Sequence, residues 1–160
     1  MIKKFNILIL SMFAVGRSKY APGTVASFIT CLVFIPLYDN KINIIFLIII
    51  KSFFFIYSVY AIDRFKNYFD EVDSREIVID EFVGQSIPII TVYSLITDNI
   101  SNFIFYTAVS FFLFRFFDII KPYPINKIDE NIKNGFGVML DDVVAGIYSS
   151  IVLIIFILLI

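Results

Sequence analysis

The sequence predicts an all-α fold, a polytopic membrane bundle of about four to five hydrophobic helices with an amphipathic N-terminal segment. Three observations predict it. The chain is 59% apolar, with mean hydropathy +0.89 and 20 phenylalanines, whereas soluble chains average about 45–50% apolar residues. Its apolar residues gather into long runs separated by short polar turns. Its loop cations also divide unequally between the two sides that those runs define.

Taken in order, Lys3 and Lys4 precede an apolar stretch at residues 5–15. This has the layout of a signal peptide, but no small-residue cleavage site follows, and Arg17 and Lys19 come directly after. An amphipathic or partly inserted helix that stays attached is expected. Gly16, Ser18, Pro22 and Gly23 then mark a loop with a tight turn at Ala21-Pro22-Gly23-Thr24, and Thr24 or Ser27 can cap the next helix. Residues 25–38 form a short apolar run, and residues 42–62 a full-length one broken by Lys51. The segment 63–76 is the most polar and reads as a solvated helix or loop. Residues 77–97 are apolar again, with Asp80, Glu81, Gly84 and Gln85 in the first turns. After a turn at 98–102 comes the run 103–120, with Arg115 and Asp118 near its end, and Lys121-Pro122-Tyr123-Pro124 stops it. A polar stretch, 126–134, leads through Gly135-Phe136-Gly137 to Asp141 and Asp142, which open the last run, 143–160.

The whole of 1–160 reads as one membrane-embedded domain. A net charge of −1 and no basic stripe argue against nucleic acid as a partner. Cys31 lies alone in an apolar run and reads as a small core residue. Histidine is absent, which excludes His-dependent nucleophilic triads and His-based zinc sites. Acid–base chemistry must come from Asp, Glu, Lys, Tyr or metal-activated water.

Treating each long run as a crossing puts Lys3, Lys4, Arg17, Lys19, Arg64, Lys66, Arg75, Lys121, Lys127 and Lys133 on one side and only Lys41 on the other. The positive-inside rule makes the first side cytoplasmic. The same parity brings the 17–24 loop, Asp80–Glu81, Asp118 and Asp141–Asp142 to that face. Arg17, Lys19, Arg115 and Lys121 supply cations at the same level. Arg115 and Asp118, at i, i+3, share a helix face, while Gly84 permits close backbone approach.

Adjacent carboxylates at the edge of hydrocarbon repel one another and are costly to desolvate, and a hard divalent cation relieves both problems. Taken singly, the same acids also read as solvated helix N-terminal residues, and Arg115 and Lys121 as interfacial anchors. Together, carboxylates, cations and Gly-rich turns at headgroup level suit a lipid phosphate.

Four ordered blocks carry a resemblance. Arg17-x-x-x-Ala21-Pro22-Gly23-Thr24-x-x-Ser27, Ile79-Asp80-Glu81-x-x-Gly84, Phe114-Arg115-x-x-Asp118-x-x-Lys121-Pro122-x-Pro124 and Gly137-x-Met139-x-Asp141-Asp142-x-x-Ala145-Gly146 resemble phosphatidylglycerophosphatase A. The resemblance implies an all-helical, Mg²⁺-dependent enzyme of the bacterial inner membrane. Such an enzyme removes the terminal phosphate of the phospholipid phosphatidylglycerophosphate. Lys19-Tyr20 departs from the Gly/Ser/Pro-like pair expected in the first loop.

On this reading Asp80, Glu81, Asp141 and Asp142 are the expected Mg²⁺ ligands. Asp118, Asp141, Asp142, Arg115 and Lys121 are the expected catalytic group, with Asp118 either a further ligand or the residue that orients Arg115 and Lys121. Arg17, Lys19, Thr24 and Ser27 are expected to bind substrate. Both metal-activated water and a carboxylate forming an aspartyl phosphate are open as nucleophile, and water is favoured. A membrane ion or proton transporter is the rival class, and it requires acids spread through membrane depth. The spaced D-G-x-x-A-R pattern of CDP-alcohol phosphotransferases is absent.

Overall fold

In the computed structural model, which describes residues 2–65, 74–97 and 99–159, every regular element is helical. These are α1 (Ile2–Leu10), a single 3-10 turn (Val15–Arg17), α2 (Pro22–Asp39), α3 (Ile44–Phe65), α4 (Ile79–Leu95), α5 (Ile100–Ile120), α6 (Ile125–Asn131) and α7 (Gly135–Leu159). Most of the polar 63–76 segment, for which a solvated helix or loop is expected, lies outside the described residues.

The helix ends have local causes. Pro22 opens α2, where its missing N–H costs nothing. The Asn43 side chain accepts from Ile45 N at 2.8 Å to start α3, and Asn99 accepts from Asn102 N at 3.1 Å to start α5. Lys121 ends α5 in the left-handed conformation, with Pro122 and Pro124 following. The last helix begins earlier than the sequence suggests. Asn134 caps Gly137 N at 3.0 Å and Asp63 of α3 accepts from Gly135 N at 2.7 Å. Gly135 and Gly137 are therefore helical. A Cβ would lie 2.4 Å from the Val59 carbonyl oxygen at the first and 1.8 Å from that of Ile132 at the second.

The hub is α4, which packs against α2, α3, α5 and α7. Asp80, Val83, Gly84, Gln85, Ser86, Pro88, Ile89 and Val92 are all buried. Four helices, α2, α3, α5 and α7, are long and apolar enough to cross a membrane, and their outer faces carry large exposed apolar side chains such as Phe46, Phe53, Phe105, Phe112 and Ile155. A surface of that kind suits hydrocarbon rather than water. Between helices, small and polar contacts replace bulk: Thr91 Oγ1 donates to Ser150 Oγ at 3.2 Å and Gln85 Nε2 to Ser110 Oγ at 3.3 Å.

The N-terminal helix is tied down. Val78 N donates to the Leu10 carbonyl at 3.0 Å, and Leu10 joins the cluster that contains Ile62, Ile79 and Met139. Cys31 is buried with Phe34, Tyr38 and Phe103. Lys51 is half-buried among Ser52, Phe55, Val83 and Val143 and makes no ion pair among the described residues.

Candidate active site

Four helices deliver the polar side chains to one end of the bundle. The first turns of α2 and α4, the last turn of α5 with the Lys121 that follows it, and the second turn of α7 enclose a cavity of about 380 Å³. Among its lining residues are Thr24, Asp80, Glu81, Arg115, Asp118, Lys121, Asp141 and Asp142. Five carboxylates there face three cations, Arg75, Arg115 and Lys121.

The tightest convergence joins Glu81, Asp118 and Asp142, which each offer an oxygen within 4.8 Å of the others. They come from α4, α5 and α7. Asp142 is buried, and its Oδ2 has no hydrogen-bond partner among the described residues. Three carboxylates brought so close, one with an orphaned oxygen, are unfavourable without a counter-charge. An all-oxygen donor set of this kind fits a hard divalent cation such as Mg²⁺.

The neighbouring acids play a different part. Asp80 Oδ1 accepts from Glu81 N at 2.9 Å, and Asp141 Oδ1 accepts from Asp142 N at 3.0 Å. Both line the cavity but flank the central trio. Of the four residues expected to hold metal, Glu81 and Asp142 are in that trio. Its third member is Asp118.

Two of the three cations, Arg115 and Lys121, are already engaged. Arg115 Nη1 pairs with Glu81 and with Asp118, the latter at 3.1 Å, and so cross-links two members of the trio. Lys121 Nζ lies 2.9 Å from Asp141 and 3.1 Å from Asp129 of α6. Burial opposes the charge on Lys121, but Asp141 and Asp129 outweigh it and hold the ammonium above its ordinary pKa.

The first loop divides. Thr24 lines the cavity beside the N-terminus of α2. A Cβ on Gly23 would lie 1.9 Å from Glu81 Oε1, so a side chain there would displace the carboxylate. Ser27 is buried behind Glu81, with its hydroxyl 3.1 Å from Oε2, and does not line the cavity. Arg17 pairs with Glu76 at 3.5 Å outside the cavity, and Lys19 is not among the lining residues. Sequence reasoning missed Asp129 and Arg75. The first sits in a stretch read only as polar, and the second in a segment read as solvated.

The Phosphatidylglycerophosphatase A family matches residues 8–157. The chain belongs to this family. It is 38% identical over 143 residues to a Haemophilus influenzae protein named phosphatidylglycerophosphatase A, covering 88% of this chain and 81% of that one. An Escherichia coli protein of the same name is 40% identical over 78 residues, 49% of this chain and 41% of its own. A Bacteroides thetaiotaomicron protein with the provisional name phosphatidylinositol-3-phosphatase is 35% identical over 150 residues, covering 92% of this chain and 90% of that one. No solved structure matches. As a member of the phosphatidylglycerophosphatase A family, the protein is a phosphatase with membrane-spanning helices. This separates it from the transporter class.

Proposed function

We propose that the protein is a Mg²⁺-dependent lipid phosphatase that hydrolyses the phosphomonoester of phosphatidylglycerophosphate, giving phosphatidylglycerol and inorganic phosphate. The reaction takes place at the cytoplasmic face of the bacterial inner membrane. The observation that carries this reading is the meeting of Glu81, Asp118 and Asp142 from three helices around an orphaned carboxylate oxygen. The uneven distribution of loop cations supports the orientation, and the names of the Haemophilus and Escherichia relatives support the lipid.

Glu81, Asp118 and Asp142 would hold the ion, with Asp80 and Asp141 beside them. A bound divalent cation supplies Lewis acidity toward a phosphoryl oxygen and makes water a competent nucleophile near neutral pH. The chain's own residues do the rest. Arg115 holds Glu81 and Asp118 in register, and Ser27 buttresses Glu81 from behind. Lys121 fixes Asp141 and adds positive charge next to the phosphate. The N-terminus of α2 brings the positive end of a helix dipole to the same cavity, an arrangement suited to a phosphate group. Burial of Asp142 and partial burial of Glu81 and Asp118 limit bulk water and strengthen each of these interactions.

The test is phosphate release from phosphatidylglycerophosphate in detergent micelles by the purified protein, with Mg²⁺ and with EDTA. Release that needs Mg²⁺ supports the reading, and release that persists in EDTA overturns the metal. Phosphatidylinositol 3-phosphate belongs in the same assay because the Bacteroides relative is named for that lipid. Faster hydrolysis of it would change the substrate assignment and leave the chemistry intact.

A further inference from the structure

We propose that Arg75 binds a second phosphate on the substrate, the phosphodiester that joins headgroup to diacylglycerol. Arg75 would thereby select lipids that carry both a phosphomonoester and a phosphodiester. This rests on the lipid phosphatase reading and adds a specificity-determining residue to it.

The inference comes from how the cavity's cations are used. Arg115 is held by Glu81 and Asp118, and Lys121 by Asp141 and Asp129. Neither is free to be the main partner of an arriving anion without releasing a carboxylate. Arg75 lines the same cavity, is exposed, and makes no ion pair among the described residues. Its neighbour Glu76 is turned the other way, toward Arg17 at 3.5 Å. A turn fixes the local backbone just before α4, with Ile77 N donating to the Ser74 carbonyl at 2.8 Å. The guanidinium is therefore presented at the rim of the cavity, while the carboxylate trio lies largely buried within it.

That separation matches a substrate with two phosphates. The monoester enters the acid-lined interior, where a divalent ion is required to offset the negative charge. The diester stays at the headgroup level, where a guanidinium with no ion pair among the described residues can grip two of its oxygens through parallel N–H donors. A lipid whose only phosphate is a monoester attached directly to diacylglycerol cannot occupy both places at once. Phosphatidylglycerophosphate and phosphatidylinositol 3-phosphate both can.

The experiment compares wild type, Arg75→Ala and Arg75→Lys in neutral-detergent micelles with phosphatidylglycerophosphate and Mg²⁺. Phosphatidylglycerol, which has only the diester, and inorganic phosphate, which mimics the monoester, serve as inhibitors. Arg75→Ala is expected to raise KM about tenfold, the scale of one charged hydrogen-bonding group, with kcat within about twofold. Arg75→Lys is expected to recover at least half of the loss on a logarithmic scale. The inhibition constant for phosphatidylglycerol should rise with KM, and that for inorganic phosphate should not. An unchanged KM in an active Arg75→Ala enzyme overturns the inference. So does a larger effect on inorganic phosphate than on phosphatidylglycerol, or a fall in kcat at constant KM. Wild-type protein that releases no phosphate from either two-phosphate lipid overturns the lipid phosphatase reading itself.

Discussion

A Cβ placed on Gly146 would lie 2.4 Å from the carbonyl oxygen of Gly84, and one placed on Gly84 would lie 2.8 Å from that of Asp142. The two glycines let α4 and α7 approach backbone to backbone, and this close approach carries Glu81 and Asp142 to the same centre. A methyl group cannot be accommodated there by a side-chain adjustment, because the obstruction is main chain. Gly146→Ala is expected to destabilise the protein by about 1–3 kcal/mol and to lower activity as well. The measurement is thermal unfolding in detergent together with phosphate release. An alanine variant as stable and as active as wild type would show that the helices pack less tightly than described.

Asp118 is expected to count among the essential acids. Asp118→Asn removes a trio oxygen and half of the Arg115 cross-link, so activity should fall by about 100-fold or more. Steady-state phosphate release at saturating Mg²⁺ checks this. A loss below about threefold would assign Asp118 to the surroundings of the site.

Ser27 separates two readings of the first loop. Its hydroxyl contacts Glu81 rather than the cavity, so Ser27→Ala should weaken apparent Mg²⁺ affinity by about tenfold while KM for lipid stays near wild type. Mg²⁺ titrations at fixed lipid and lipid titrations at fixed Mg²⁺ distinguish the cases. A rise in lipid KM alone would restore Ser27 to substrate binding.

Asp129 tests the outer support. It lies 3.1 Å from Lys121 and 3.9 Å from Lys133, and Asp129→Asn should reduce activity about tenfold by loosening Lys121 from its place beside Asp141. Asp129→Glu should lose less. Equal losses in the two variants would argue for a role in folding α6 instead.

Much of this arrangement is legible in the chain because charge beside hydrocarbon is expensive, so Asp80–Glu81 and Asp141–Asp142 stand out against their apolar surroundings. The helices and their topology followed from apolar runs and the turns between them. The choice within each acidic pair was not legible. Neighbours on a helix point about 100° apart, so only one of each pair can face a common centre, and which one does so depends on how α4 and α7 are rotated against each other. Their rotation is set by Gly84 and Gly146, and Asp118 supplies the third side. Gly135 and Gly137 fall outside the apolar run 143–160 that marks the last helix in the sequence, and glycine disfavours helix interiors. Here close contacts with Val59 and Ile132 require them within α7. Nothing in sequence spacing could bring Arg75 or Asp129 to the cavity, since neither lies in one of the long apolar runs.

The central claim is that Glu81, Asp118 and Asp142 hold a divalent ion together. The most direct measurement is binding of Mn²⁺, as a stand-in for Mg²⁺, to the purified protein by electron paramagnetic resonance, for wild type and Asp142→Asn. Wild type is expected to bind Mn²⁺ saturably, with displacement by Mg²⁺, and the variant to lose at least about 100-fold in affinity. Equal Mn²⁺ binding by the two proteins would contradict it.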